Sequence, residues 1–362
     1  MHEDMALSIK SREFDSNRGI KVFILDNGYI QIKVTNLGCR ILDILMPDKN
    51  GNKKDILLGL DNLNDYYKDT AYFGAVLGRV GSRIKDARFT LNEVEYKLAA
   101  NNAGNHLHGG INGFDKKVFK VDELEQGLRF TYTSADGEEG YPGCLTLRVE
   151  YIVKNNSLII LYQAESDKDT IVNFTNHMYF NLGNNSEYIG KHLLKINANK
   201  VLCVDKDCMV TGDILEVVDT PFDFRNEKAV EDCLNKNHDQ LVNAKGIDHP
   251  YIISNEEAAV MYDMEEIGNK EIPYQITLSD SESKRMLRIY TTAPAVQVYT
   301  GNYLEGGCIG KGGKAYKDWS GIALETECFP NAINTENKDQ VILKAGDIFK
   351  SQSVYSFFVM KE

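Results

Sequence analysis

Short runs rich in Val, Ile, Tyr and Thr alternate along this chain with tight-turn signals, and that punctuation leaves little room for anything but antiparallel sheet. VFIL-DNG-YIQIKVT sets Asn27-Gly28 between two β-rich runs. Such a pair closes a hairpin because both residue types tolerate the positive φ that a two-residue hairpin turn demands. RILDILMPDKNGNKKDILLG repeats the pattern at Asn50-Gly51, and LTLRVEYIV-KNNS-LIILYQAES alternates apolar and polar residues on both sides of an Asn-rich turn. That alternation is what a half-buried antiparallel pair requires. RFTLNEVEYKL, GLRFTYTS, MLRIYTTAPAVQVYT and SGIALETEC read as further strands, whereas the best amphipathic helix, RNEKAVEDCLNKN, is short. Neither a repeat of roughly 20–50 residues nor a low-complexity or Pro/Ser-rich linker divides the chain. The expectation is an all-β fold, a single large antiparallel β-sandwich with few short helices, spanning 1–362 as one domain.

Charge and cysteine usage narrow the classes of partner. The formal net charge is −12, so the phosphate attraction that drives nucleic-acid or anionic-membrane binding is missing, while a neutral ligand is unaffected. The opening MHEDMALSIKSREF has no apolar signal core, and no apolar run approaches the ~18 residues of a membrane helix. Seven cysteines (39, 144, 203, 208, 233, 308 and 328) are scattered without a CxxC pair. An odd, dispersed set argues against disulfides and structural zinc and for a reducing, cytoplasmic setting with free thiols.

Five segments carry chemistry. FGAVLGRVGSRI places Arg79 and Arg83 four apart in a Gly-rich stretch; a guanidinium fork suits vicinal sugar oxygens or a carboxylate, the alternative being a solvated turn. NNAGNHLHGG puts His106 and His108 at i, i+2, on one face if extended, a spacing seen in β-built metal sites. No third ligand stands close by in sequence, so polar loop histidines compete with a metal pair. VNFTNHMYFNLG surrounds His177 with Asn176, Tyr179 and Asn181, the mixture of rings and amides a polyol pocket uses, or else a strand-end histidine. KGIDHPYI offers Asp248 beside His249, where a turn-forming Asp is the ordinary alternative. SGIALETECFPNAIN runs an apolar strand into Glu325 and Glu327, two carboxyls on one strand face, with Glu325 closer to the apolar IAL.

In this order and spacing, GRVGSRI, NHLHGG, TNHMYFNL, GIDHPY, VQVYTGN and ALETECFPNA resemble the successive motifs of the aldose 1-epimerase family, the galactose mutarotases, from about Gly19 to the C-terminus. The resemblance implies a galactose mutarotase-like supersandwich with an open cleft. It also implies interconversion of the α and β anomers of free hexoses such as galactose or glucose. By motif, Glu325 would be the general base and His177 the general acid, while Arg79, His108, Asp248 and Gln297 would hold sugar hydroxyls. Asn176 and Tyr179 would stand with them, supporting His177 or touching substrate. Two positions depart from the family pattern: Ser82 where Asn is usual, and Asn331 where Asp is usual.

The implied chemistry needs no metal and no cofactor, only an acid and a base whose pKa values bracket neutrality, with Glu ionised and His charged in one complex. The implied partner is an aldohexose, with no nucleic acid and no membrane, and the chain would act as a monomer or homodimer in the cytoplasm. Three rivals remain at this point: a glycoside hydrolase using Glu325 with Asp248, a non-catalytic sugar-binding module, and an epimerase of phosphorylated hexoses.

Overall fold

The computed structural model describes residues 6–183, 187–253, 275–307 and 309–361; Cys308 and the first five residues of the amino-terminal segment lie outside them. The turn chemistry acts where it is written. Ile20–Asp26 and Gln31–Thr35 pair across Asn27-Gly28, with Gly28 at φ 85. Asn27 Oδ1 accepts the backbone N–H groups of Tyr29 (3.1 Å) and Ile30 (3.0 Å). At the second turn, Asp48 Oδ1 takes the N–H groups of Asn50 (2.8 Å) and Asn52 (3.0 Å), a side chain standing in for a backbone acceptor. Leu145–Lys154 and Ser157–Ser166 pair in unbroken register from Leu145↔Ser166 to Lys154↔Ser157.

Two of the expected strands divide. RFTLNEVEYKL is a hairpin, Arg88–Leu91 against Val94–Lys97, turned by Asn92 and Glu93 at φ 50 and 66. MLRIYTTAPAVQVYT breaks after Thr291, where the chain leaves one sheet (Arg285–Thr291) and enters another (Ala295–Tyr299). The expected helix over 225–237 shrinks to one turn, Glu231–Leu234, because Lys228–Ala229 is taken up as an edge pair against Leu193 and Leu194. A second short helix, Asp239–Ala244, starts at His238, whose Nδ1 accepts the Gln240 N–H.

Among the described residues the main sheet has nine strands and runs from Lys120–Leu124 through Ser157–Ser166 and Ile348–Val359 to Lys228–Ala229. A second, six-stranded sheet runs in the order Tyr179–Phe180, Ile322–Glu327, Ala295–Tyr299, Asp248–Ile252, Lys200–Val204, Val210–Glu216. A five-stranded meander, Ser8–Asp15 to Lys53–Asp55, completes the architecture. All the named pairings are antiparallel, as the all-β reading requires.

One large apolar cluster draws Leu158, Ile160 and Tyr355 from the nine-stranded sheet and Val296, Val298, Ile322 and Leu324 from the six-stranded one. The period of two then fixes what the other face carries. In Ile322–Glu327, Ile322 and Leu324 point into this core and Thr326 Oγ1 meets Ser353 Oγ across it at 2.7 Å. Ala323, Glu325 and Glu327 therefore face outward, away from the nine-stranded sheet.

Candidate active site

Cross-strand register decides which side chains share that outward face. Gln297 pairs with Glu325, Tyr299 with Ala323, Asp248 with Tyr299, and Tyr179 with Ala323. Tyr179, Tyr299, Asp248, Gln297, Glu325 and Glu327 all line one cavity of about 670 Å³. Gln297 Nε2 donates to Asp248 Oδ1 at 2.6 Å, which fixes both on the floor and leaves Gln297 Oε1 buried without a partner among the described residues.

The histidines come in from loops above the floor. His177 follows the short strand Thr175–Asn176, and its Nε2 lies 3.5 Å from Glu325 Oε1, with both side chains almost fully buried. His108 stands at φ 52 just past His106–Leu107, its ring 5.5 Å from that of His177. Its Nδ1 accepts the Ser82 backbone N–H at 3.1 Å. That bond assigns the proton to Nε2, so neutral His108 offers a donor. Tyr72 closes the other side, 4.7 Å from the His108 ring and 6.2 Å from that of His177. Tyr179 lies 4.7 Å from His177 by ring centroid.

Two expected site residues do not reach the cavity. Arg79 is buried beneath it and fully engaged: Nε and Nη2 donate to Ser134 Oγ, Nη1 to the Pro142 carbonyl at 2.8 Å, and Nη2 to the Ala135 carbonyl at 2.8 Å. It is a cross-brace with no hydrogen left for a ligand, and Arg83 takes its expected place. Arg83 lines the cavity, donates from Nε to Asn102 Oδ1 at 3.1 Å and sets Nη1 4.0 Å from Asp248. Asn176 also lies outside, its amide donating to the Gly74 carbonyl and the Tyr151 hydroxyl at 3.1 and 3.2 Å.

The metal alternative loses its geometry. His106 is turned away from His108 and engaged at both ring nitrogens, by Ala99 O at 2.8 Å and Tyr141 OH at 2.7 Å. Of the departures from the family pattern, Ser82 lines the cavity, while Asn331 Oδ1 accepts the Lys85 N–H below it. Tyr299, two residues past Gln297 on the same strand face, was readable from VQVYTGN by parity alone. Tyr72 carried no such signal.

Electrostatics in the cavity work against the charged forms of the acid–base pair. Burial pushes His177 down to about 3, with Arg40 adding to the effect. Burial, reinforced by the Glu327 and Asp248 carboxyls, holds Glu325 well above the usual carboxylate range. His108 is likewise pushed well below 6.5, by burial first and then by His177 and Arg83. Both shifts have one cause: burial disfavours the charged form of each group, so carboxyl and imidazole alike lean toward neutrality. At 3.5 Å the imidazole and the carboxyl are close enough to share a proton.

The aldose 1-epimerase family profile matches residues 21–356. Galactose mutarotase of Bos taurus is 39% identical over 341 residues, 94% of each chain, and aldose 1-epimerase of Escherichia coli K12 is 32% identical over 336 residues, 92% of this chain and 93% of the other. The crystal structure of galactose 1-epimerase from Lactobacillus acidophilus superposes with a TM-score of 0.82 at 29% identity, covering 98% of this chain and 99% of that one.

Proposed function

The chain belongs to the aldose 1-epimerase family, and on that footing we propose that Glu325 and His177 interconvert the α and β anomers of a free aldohexose, galactose or glucose, by opening and reclosing its ring. The protein is an isomerase of aldoses. The observation that carries the assignment of residues is the 3.5 Å approach of His177 Nε2 to Glu325 Oε1 on the floor of a sugar-sized cavity.

Ring opening breaks the bond from C1 to the ring oxygen and forms the C1 carbonyl. A base removes the C1 hydroxyl proton while an acid delivers one to the ring oxygen, so a pair sharing one proton balances the step. Glu325 acts as base and His177 as acid, and they exchange roles when the ring closes on the other carbonyl face. Sugar hydroxyls donating to Glu325 favour its carboxylate and move the resting proton toward His177. Arg83, His108 Nε2–H, Asp248 and Gln297 Oε1 surround the hydroxyls, and Tyr72 and Tyr179 offer ring faces to sugar C–H groups. No step calls for a cofactor.

These groups come from segments spread between Tyr72 and Glu325 that meet in one cavity, which supports action as a single domain. The described cysteines are free thiols, which supports a cytoplasmic setting; no helix among the described residues is long and apolar enough to cross a membrane. Polarimetry on freshly dissolved α-D-galactose and α-D-glucose tests the reading. The protein is expected to speed the approach to the same final rotation, and Glu325→Gln and His177→Asn are each expected to lower turnover by about 10²–10⁴-fold with the fold intact. Full activity in Glu325→Gln would sink the base assignment.

A further inference from the structure

Glu327 lies two residues beyond Glu325 on the same strand face, lines the same cavity and is 2% exposed. Its Oε2 accepts from Asn173 Nδ2 at 3.3 Å. Asn173 is itself fixed, its Oδ1 taken by the Cys328 N–H at 2.8 Å and its Nδ2 also reaching the Cys328 carbonyl at 3.3 Å. The bond between the two side chains thus runs from the Asn173 amide to the Glu327 carboxyl. The other oxygen of Glu327, Oε1, is buried with no partner among the described residues.

The balance of charge around it is uneven. The groups facing Glu327 are Glu325 on its own strand, Asp248 from Asp248–Ile252, Arg83 from Arg83–Ile84, and the neighbouring Cys328 thiol. His108 and His177 stand elsewhere in the same cavity. Three carboxyls thus share one guanidinium, and the Arg83 ion pair is with Asp248, at 4.0 Å. The two lysines among the cavity's described lining residues, Lys68 and Lys206, are exposed. A buried carboxylate held by one long amide bond lacks the compensation that an ion out of water requires. Protonation removes the charge and turns Oε1 into a donor in need of an acceptor.

We propose that Glu327 works as a neutral carboxyl whose O–H donates to an oxygen of the bound aldose, a sugar-recognition group beside Glu325. The proposal rests on the aldose reading above. It agrees with the direction of its titration: burial holds Glu327 well above the usual carboxylate range, and Asp248 adds to it. A neutral Glu327 also spares Glu325 a second adjacent charge, so the base can ionise when sugar arrives.

Infrared difference spectra of the sugar-free protein at neutral pH test the proton directly. Wild type minus Glu327→Gln is expected to show the carbonyl band of a protonated carboxyl; loss of a carboxylate band instead overturns the proposal. Kinetics test the donor. Glu327→Met, which keeps the bulk and loses the donor, is expected to raise KM by about 3- to 10-fold with kcat moved less, and Glu327→Gln, which keeps a neutral donor, to raise it less. Equal KM in the two variants overturns the donor role, as does a downward shift of the acid limb of kcat/KM in Glu327→Gln, which would mean that Glu327 had been ionised. A protonated Glu327 in a protein that fails to accelerate mutarotation is a failure of the aldose reading. Mutarotation with an ionised Glu327 is a failure of this proposal.

Discussion

Arg83 commits one N–H group to Asn102 and keeps its outer nitrogens at the cavity, whereas Arg79, four residues earlier, spends its fork on Ser134, Ala135 and Pro142. Charge and residue type are the same, so what separates them is the supply of competing acceptors. Truncation should separate them as well. Arg83→Ala is expected to raise KM for galactose at least tenfold while the urea midpoint moves little, because its guanidinium is partly exposed and its partners can be solvated. Arg79→Leu is expected to cost about 3–5 kcal/mol in urea unfolding, because buried carbonyls lose their donors, while the folded fraction keeps KM near wild type. If Arg79→Leu instead raises KM with stability intact, the brace reading is wrong. The sequence shows both arginines in GRVGSR at a spacing that strand periodicity cannot distinguish. Acceptors far along the chain, Ser134, Ala135, Pro142 and Thr170, reveal which is buried, since all four bond to Arg79.

Hairpins are the elements whose instructions are local. Asn27-Gly28, Asn50-Gly51 and Asn155-Asn156 turn the chain where their side chains and positive φ allow, and each was legible without tertiary information. The outward parity of Glu325 and Glu327 was legible for the same reason, from the period of two. Sheet membership was not. The switch after Thr291 depends on Thr291 Oγ1 and Thr292 meeting Gln352 and Ser353, about sixty residues on. Nor was the segment carrying Tyr72, which long-range charge shapes. Asp69 Oδ1 and Oδ2 accept the N–H groups of Ala71 (2.8 Å) and Phe73 (2.9 Å). Arg40, with 0% side-chain exposure, holds Asp69 at 3.1 Å and the Phe73 carbonyl at 2.8 Å. Breaking this buried pair by Asp69→Ala is expected to cost about 3–5 kcal/mol. Among molecules still folded, kcat/KM should fall about tenfold or more as Tyr72 loses its place over His108. Asp69→Asn, which keeps Oδ1, should recover part of both; loss of stability without loss of kcat/KM would detach Tyr72 from the site.

At the scale of the whole molecule the buried ionisable groups pull stability in opposite directions with pH. His177 and His249 are pushed down to about 3 and His192 to about 4, chiefly by burial. Below ~6.5 the unfolded chain takes up protons on these rings that the folded one refuses, so their contribution is lost as pH falls, by up to ~1.4 kcal/mol per unit for each ring. Glu325 works the other way. Its folded pKa is raised, so the folded state keeps a proton that the unfolded chain releases above ~4.3. The stability it contributes is full below that pH and is lost as pH rises. Gln has no such proton to lose. Glu325→Gln is therefore expected to unfold at a higher temperature than wild type at pH 8, with the gap narrowing on acidification and closing near pH ~4. The same substitution removes the base, so the gain in Tm and the loss of mutarotation appear in one protein, as expected where a charge is buried for chemistry rather than for the fold. Calorimetry of both proteins from pH 4 to 8 reads the gap. A gap that stays constant with pH would mean that Glu325 titrates alike in the folded and unfolded chains, and its buried carboxyl would then rest ionised at neutral pH.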